Sequence, residues 1–188
     1  HSDEAREDLR GNADAFVNAI RHHMSNMMTP SLQISMNELS NHDHSRFLTR
    51  TNHRVGRVQE LGAEAANENV NVAVMREAVV MQMTWPGAPT VYYGDEAGMV
   101  GWTDPDNRRS YPWGKQDWEL IEFHKDMIRI HKKYECFRSG SYKSIASGSH
   151  WICYGRFNKK LQAVILINNR RETLTVDLPI WQIGILEN

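Results

Sequence analysis

Two kinds of hydrophobic pattern open the chain. Between residues 16 and 27, apolar positions recur at spacings of three and four, the period of one helix face. We predict a helix there, with Asn12 or Asp14 near its N-cap and Pro30 as its stop. From residue 32 to residue 37, apolar and polar positions alternate strictly, which predicts a strand.

The middle of the chain repeats this order of elements. Residues 70–83 predict a second helix, whose apolar end indicates burial against a sheet. A short β-branched and aromatic run, Thr90 to Tyr93, predicts a second strand after the turn Trp85-Pro86-Gly87. Asp117 then caps a third predicted helix with an apolar stripe. Helix, strand, helix, strand, helix is the order of an α/β fold with parallel strands.

After Phe137 the pattern changes to short runs rich in Val, Ile and Trp, separated by Gly, Asn and Lys turns. These runs predict antiparallel hairpins. They are residues 144–146, 150–156, 161–168 and 173–178, with one more short strand at residues 181–185. We place a boundary between residues 137 and 138, so that 1–137 forms the α/β part and 138–188 a small antiparallel β domain.

Composition narrows the class of protein. Hydrophobic residues make up 40% and charged residues 24% of the 188, and the formal net charge is −1. Without a basic run, nucleic acid is not an expected partner, and no apolar stretch has the length of a membrane span. Cys136 and Cys153 have no metal-ligand spacing, and we expect two reduced core thiols, with a single bridge as the alternative.

The chain begins at His1 inside a polar, helix-like segment. We therefore expect it to be part of a longer protein. No signal-peptide pattern is present in it, which favours a cytoplasmic location over secretion.

A first polar cluster, Asn41-His42-Asp43, follows the first predicted strand. Side chains at a strand's carboxyl end can reach a binding cleft, where a carboxylate stabilises positive charge and an imidazole donates to a hydroxyl. The alternatives are an ordinary loop turn with a capping Asp, or a metal site that also uses His44 and His53.

A second cluster lies in the loop after Tyr93. Asp104 and Arg108 on one turn could hold adjacent sugar hydroxyls, one accepting and the other donating hydrogen bonds. Trp102 and Trp113 could stack on sugar faces. The alternative is that the loop's carboxylates and arginines form ion pairs, while its tryptophans belong to the core.

Two long motifs carry a resemblance to a known family. They are the run Pro-Gly-x-Pro-x-x-Tyr-Tyr-Gly-Asp-Glu-x-Gly from Pro86 and the run Asp-Pro-Asp-x-Arg-Arg from Asp104. Together with Asn41-His42-Asp43 they resemble the last two strands and loops of the α-amylase family of glycoside hydrolases, nearest its cyclomaltodextrinase and neopullulanase branch. The resemblance implies the C-terminal part of a (β/α)8 barrel followed by a small antiparallel β-sandwich.

The resemblance also implies roles for individual residues. Asp43 matches the catalytic carboxylate that stabilises the transition state, and His42 matches a histidine that binds hydroxyls of the sugar being cleaved. Asp104 and Arg108 match substrate-binding positions of the second motif. Further candidates for contact with the sugar are Arg46, Phe47 and Trp102.

The implied activity is retaining hydrolysis of α-glucans, and the implied partners are α-linked glucan oligosaccharides. A nucleophile Asp and an acid/base Glu of that mechanism are not found in the sequence, so the isolated chain is expected to be inactive. The alternative is a non-catalytic scaffold or binding protein of the same superfamily. No cofactor or metal ligand set is predicted, although calcium in the parent protein stays open. Exposed strand edges of an incomplete barrel favour a homo-oligomer.

Overall fold

A computed structural model of the chain describes residues 6–177. Its contacts divide the chain into two compact units. Among the described residues, the first unit contains Asn37–Met83 and Pro89–Arg129, and the second contains Glu7–Met36, Thr84–Ala88 and residues 130–177. These units are defined by contacts and do not test the predicted domain boundary between residues 137 and 138, which stays a prediction.

The described residues form seven α-helices, three short 3₁₀ helices and five strands. The helices are α1 Ala13–Ser25, α2 Thr29–Ile34, α3 Phe47–Arg50, α4 Val58–Leu61, α5 Val72–Thr84, α6 Trp118–Lys133 and α7 Glu135–Ser139. The strands are β1 Met36–Glu38, β2 Ala88–Thr90, β3 Ser141–Gly148, β4 Trp151–Phe157 and β5 Gln162–Asn168. Within residues 6–177, no helix combines the length and apolar composition needed to cross a membrane.

The predicted helix caps are confirmed at the two longest amphipathic helices. The side-chain oxygen of Asn12 accepts a hydrogen bond from the N–H of Ala15 at 2.9 Å, at the start of α1. The carboxylate of Asp117 accepts one from the N–H of Leu120, also at 2.9 Å, at the start of α6. Each bond satisfies a backbone donor that has no partner within the helix.

The prediction of a strand at residues 32–37 is wrong for most of its length. Residues 29–34 form α2, and only Met36–Glu38 is a strand. Pro30 opens α2 instead of ending α1, because proline in a first helical turn removes only a donor that would lack a partner there. The second strand is also displaced, since β2 covers Ala88–Thr90 and ends where the prediction began.

Strands β1 and β2 pair in a two-stranded sheet. The side-chain amide of Gln82 on α5 donates to the main-chain oxygens of Asn37 (3.0 Å) and Thr90 (2.8 Å). Because Gln82 is buried, these bonds satisfy an amide that would otherwise be costly to bury. Helix α5 therefore holds both strands, which precede the loops that carry the two predicted polar clusters.

The first unit has an apolar core between α3, α5 and α6. Its buried members are Leu48, Met75, Val79, Met83, Leu120 and Met127. Val79 and Met83, at the apolar end of the second predicted helix, are almost completely buried, which confirms the predicted burial. The buried residues of this core lie on helices, whereas the prediction placed this end against a sheet.

The second unit contains a three-stranded antiparallel sheet in the order β3-β4-β5. Three of the predicted hairpin strands are thereby confirmed. Residues 173–177 are not in a strand, while residue 178 and the predicted strand at 181–185 lie outside the described residues. Cys136 and Cys153 are buried and free, as expected, and burial raises the pKa of both thiols.

Candidate functional site

The loop after β1 is shaped by the side chain of Asn41. Its oxygen accepts hydrogen bonds from the N–H groups of Asp43 (2.9 Å) and His44 (3.1 Å), and its nitrogen donates to Glu38 (2.8 Å). This local turn is typical of Asn, whose short amide can bond to the backbone two and three residues later. The turn leaves His42 and Asp43 open to solvent.

The side chains of His42 and Asp43 lie against each other. Their Nε2 and Oδ1 atoms are 3.5 Å apart, and the side chains are 68% and 53% exposed. Both groups are therefore available to a ligand.

The loop after β2 carries the second pair of predicted residues. Asp104 and Arg108 form an ion pair across a short 3₁₀ turn, Asp106–Arg108, and about half of each side chain is exposed. The peptide bond between Asp104 and Pro105 is cis. The carboxylate and the guanidinium thus lie side by side at the surface.

The structure brings the two predicted pairs together. The Nε of Arg108 donates to the main-chain oxygen of His42 at 3.2 Å. The N–H of Asp104 faces the main-chain oxygen of Asp43 at 3.4 Å. His42, Asp43, Asp104 and Arg108 therefore form one cluster, although each bonded pair of residues lies more than 60 positions apart in the sequence.

Arg46 lies beneath this cluster and is completely buried. The prediction that Arg46 contacts the sugar is therefore corrected. Its guanidinium pairs with Asp95 at 3.0 Å and donates to the main-chain oxygen of Tyr93 at 2.6 Å. It also lies over the rings of Tyr92 and Tyr93. Burial raises the pKa of Asp95, although a hydrogen bond with Ser40 and the charge of Arg46 oppose the rise.

Asn107 is a residue of this region that sequence reasoning missed. It is fully buried, and its side-chain amide donates to the main-chain oxygens of Asn41 (3.0 Å) and His44 (2.7 Å). The one signal in the sequence was its place as the variable position of the Asp-Pro-Asp-x-Arg-Arg run.

Trp102 is also fully buried, so the prediction that it stacks on a sugar is corrected. It packs against Ala65 and Ala66, and its indole N–H donates to the main-chain oxygen of Gly62 at 3.0 Å. Phe47 begins α3 and is half-buried against the core of the first unit. Its contact with a sugar stays a prediction.

The alternative that the loop's arginines form ion pairs is confirmed for Arg109, whose guanidinium pairs with Asp106 at 2.7 Å. The alternative that its tryptophans belong to the core is wrong for Trp113, which is 80% exposed and lies against Tyr111 with ring centroids 4.5 Å apart. Among residues 6–177, no group of three or more His, Cys, Asp or Glu side chains has an arrangement that could hold a metal ion.

Comparison with known proteins decides the family. The family model described as alpha amylase, catalytic domain, matches residues 3–165, most of the chain. The chain belongs to the alpha-amylase family. A (β/α)8 barrel is the fold of that family, and the chain contributes α/β elements and a three-stranded antiparallel sheet.

Curated members of the alpha-amylase family include two close relatives. An amylopullulanase of Thermoanaerobacter thermohydrosulfuricus is 34% identical over 135 residues, which are 68% of this chain and 8% of that protein. Neopullulanase 2 of Thermoactinomyces vulgaris is 34% identical over 152 residues, which are 79% of this chain and 23% of that protein. The chain thus spans less than a quarter of the length of either relative. The predicted resemblance to this family and its neopullulanase branch is confirmed.

Among solved structures, an acarbose-soaked crystal of the debranching enzyme of Nostoc punctiforme is similar to this alpha-amylase family member. The TM-score is 0.73 at 22% identity, and the match covers 94% of this chain and 33% of that one. At this identity the similarity concerns the fold.

Proposed function

We propose that this chain forms one side of the α-glucan cleft of a retaining glycoside hydrolase. The observation that supports the proposal is the single exposed cluster of His42, Asp43, Asp104 and Arg108, built from two loops far apart in sequence. Members of the alpha-amylase family that match the chain bear names that include pullulanase and neopullulanase. We extend their substrate class, the α-glucans, to this chain.

In this proposal Asp43 stabilises the transition state. Glycoside cleavage builds positive charge on the sugar ring, and an ionised carboxylate held beside the ring lowers the energy of that charge. The neighbouring imidazole of His42 offers a hydrogen-bond donor to a hydroxyl of the same sugar. Both side chains are exposed, as contact with a substrate requires.

Asp104 and Arg108 bind an adjacent part of the glucan. A guanidinium has five N–H donors and a carboxylate accepts at about four positions, so their mutual ion pair leaves groups free for sugar hydroxyls. A pair held in one orientation also loses little freedom when a sugar binds.

The nucleophile and the acid/base of the reaction come, in this proposal, from residues outside this chain. The covalent chemistry of a retaining enzyme needs both carboxyl groups, and Asp43 alone cannot replace them. The curated relatives, which are more than four times longer than the matched region, have room for such residues.

The proposal is tested by binding of maltohexaose to the chain, followed by NMR. We expect Asp104→Ala and Arg108→Ala to weaken binding by about 10-fold or more, because each removes hydrogen bonds that involve a charged group. Asp126→Ala is the matched control, since Asp126 also pairs with an arginine on the surface, Arg129 on α6. Equal binding by the Asp104 and Asp126 variants, or no binding by the unmodified chain, would contradict the proposal.

Hydrolysis is the second measurement. We expect no release of sugar from maltodextrin or a nitrophenyl α-glucoside by the isolated chain. Turnover above a buffer blank that survives in the Asp43→Ala variant would contradict the role of Asp43. In the longer protein, Asp43→Asn should lower kcat by about 10²- to 10³-fold. An unchanged kcat would show that Asp43 does not stabilise the transition state, and a longer protein without turnover would favour a binding scaffold.

A further inference from the structure

The side chain of Asn107 spans the gap between the two loops from below. It is fully buried, and its two amide hydrogens point to the main-chain oxygens of Asn41 and His44, at 3.0 and 2.7 Å. These two carbonyls lie immediately before and after the pair His42 and Asp43. The backbone that carries the proposed catalytic pair is therefore held at both ends by one side chain.

Asn107 is itself held in place from the other side. Its main-chain oxygen accepts a hydrogen bond from the Nε of Arg46 at 2.9 Å. The next residue, Arg108, donates to the main-chain oxygen of His42 at 3.2 Å. Three carbonyls of the loop after β1, those of Asn41, His42 and His44, are thus bonded to Asn107 or Arg108, so displacement of that turn displaces the loop.

Asn41 passes this restraint on to the catalytic pair. Its carbonyl is fixed by Asn107, and its side-chain oxygen accepts from the N–H groups of Asp43 and His44 at 2.9 and 3.1 Å. The amide oxygen of Asn107 makes no hydrogen bond among the residues that the structure describes. The side-chain amide of Asn107 therefore acts on the loop through its two donated hydrogen bonds, to Asn41 and His44.

We infer that Asn107 is a positioning residue that sets the orientation of His42 and Asp43 relative to the turn carrying Asp104 and Arg108. The importance of this role for catalysis rests on the proposed function, whereas the effect of Asn107 on the conformation of the loop is independent of that function. A residue in the core of the loop pair, without contact to the substrate, thereby controls how the substrate-facing groups are presented.

The test compares the variants Asn107→Ala and Asn107→Asp with the unmodified chain. Alanine removes both donors, and aspartate keeps the shape but turns acceptor oxygens toward two carbonyls. Asn158→Ala is the matched control, because the side-chain oxygen of Asn158 accepts from the N–H groups of Lys160 and Leu161, both at 2.9 Å, in the turn before β5. The readouts are amide hydrogen exchange at each turn and the imidazole resonances of His42.

We expect Asn107→Ala to speed exchange at Asp43 and His44 by about 10-fold or more and to shift the His42 resonances, with the amides of α5 unchanged. Asn107→Asp should have the larger effect, and Asn158→Ala should affect only residues 160 and 161. Folded Asn107 variants with unchanged exchange at Asp43 would overturn the inference, as would a uniform increase that includes α5.

Maltohexaose binding separates the inference from the proposed function. If the unmodified chain binds and Asn107→Ala weakens binding at least about 5-fold while Asn158→Ala does not, both are supported. If no variant binds but exchange at Asp43 still responds to Asn107, the positioning role holds and the glucan assignment fails. If binding is unchanged in Asn107→Ala while Asp104→Ala loses it, the positioning role fails and the glucan assignment holds.

Discussion

The guanidinium of Arg46 connects the main chains of the two candidate loops through one buried charge. Its bonds to Tyr93, Asp95 and Asn107 all lie below the exposed cluster. A buried cation of this kind is tolerated only when a carboxylate and carbonyl oxygens replace the lost water. At the scale of single residues, the exposed cluster therefore depends on an ion pair that is itself closed to solvent.

Replacing Arg46 by Met should make stability depend on pH. Burial already raises the pKa of Asp95, and loss of the neighbouring cation removes an opposing effect. A carboxyl whose pKa is higher in the folded than in the unfolded chain favours folding at low pH and loses that advantage as pH rises. Urea unfolding should show Arg46→Met less stable than the unmodified chain by about 3–5 kcal/mol at pH 7.5, and by clearly less at pH 5.

The double variant Arg46→Met with Asp95→Asn is the control for that measurement. Without an ionisable group at position 95, the difference from the unmodified chain should no longer shrink as pH falls. An equal loss of stability at both pH values in Arg46→Met alone would show that the buried carboxyl is not responsible.

Individual elements were predictable where their signals are local. Asn12 and Asp117 cap α1 and α6 by bonding to the backbone three residues later. The hairpins of β3, β4 and β5 follow from short runs rich in Val, Ile and Trp and from the turns between them. The strand predicted at residues 32–37 failed because six residues fit both periods, and Pro30 was taken as an end instead of a beginning. The proline in the first turn of α2 favours a helix over a strand at these residues.

The candidate site divides in the same way. His42, Asp43, Asp104 and Arg108 were found through motifs, and their meeting was implied by a family resemblance. Asn107 was missed because its partners lie 66 and 63 residues away, and no local pattern records such bonds. Arg46 and Trp102 were misassigned because burial cannot be read from a polar loop sequence.

At the scale of elements, Arg156 on β4 joins the ends of two helices. Its guanidinium donates to the main-chain oxygens of Thr84, the last residue of α5, and Gly140, which follows α7, at 2.6 and 2.9 Å. Burial lowers the pKa of Arg156 to about 10, so it stays charged at pH 7. A cation at helix carboxyl ends satisfies carbonyls that lack partners within the helix.

Arg156→Met should therefore lower the free energy of unfolding by about 2–4 kcal/mol, since it leaves buried carbonyl oxygens unpaired. Chemical unfolding followed by circular dichroism measures this difference. Arg171→Met, at an exposed position, is the control and should change stability by less than about 0.5 kcal/mol. A loss no greater in Arg156→Met than in Arg171→Met would contradict the role of Arg156.

At the scale of the whole molecule, the sheet of β1 and β2 ends at edges along which residues 6–177 add no further strand. Within residues 6–177, the sheet of β1 and β2 has no third strand. In the segment from the start of α2 to the start of β1, three apolar side chains are largely exposed, namely Met28, Ile34 and Met36. An open strand edge next to exposed apolar side chains is a surface on which another strand can pair.

We accordingly predict that the 188-residue chain self-associates through this surface. Sedimentation velocity should show the mass rising above that of the monomer as concentration increases, because association buries the apolar side chains and pairs the strand edge. Ile34→Lys should shift the equilibrium toward monomer, since it places a charge in the contact. Val55→Lys, the same kind of change at another exposed β-branched residue, should not. A chain that stays monomeric at every concentration, or equal effects of the two lysines, would show that this surface does not mediate association.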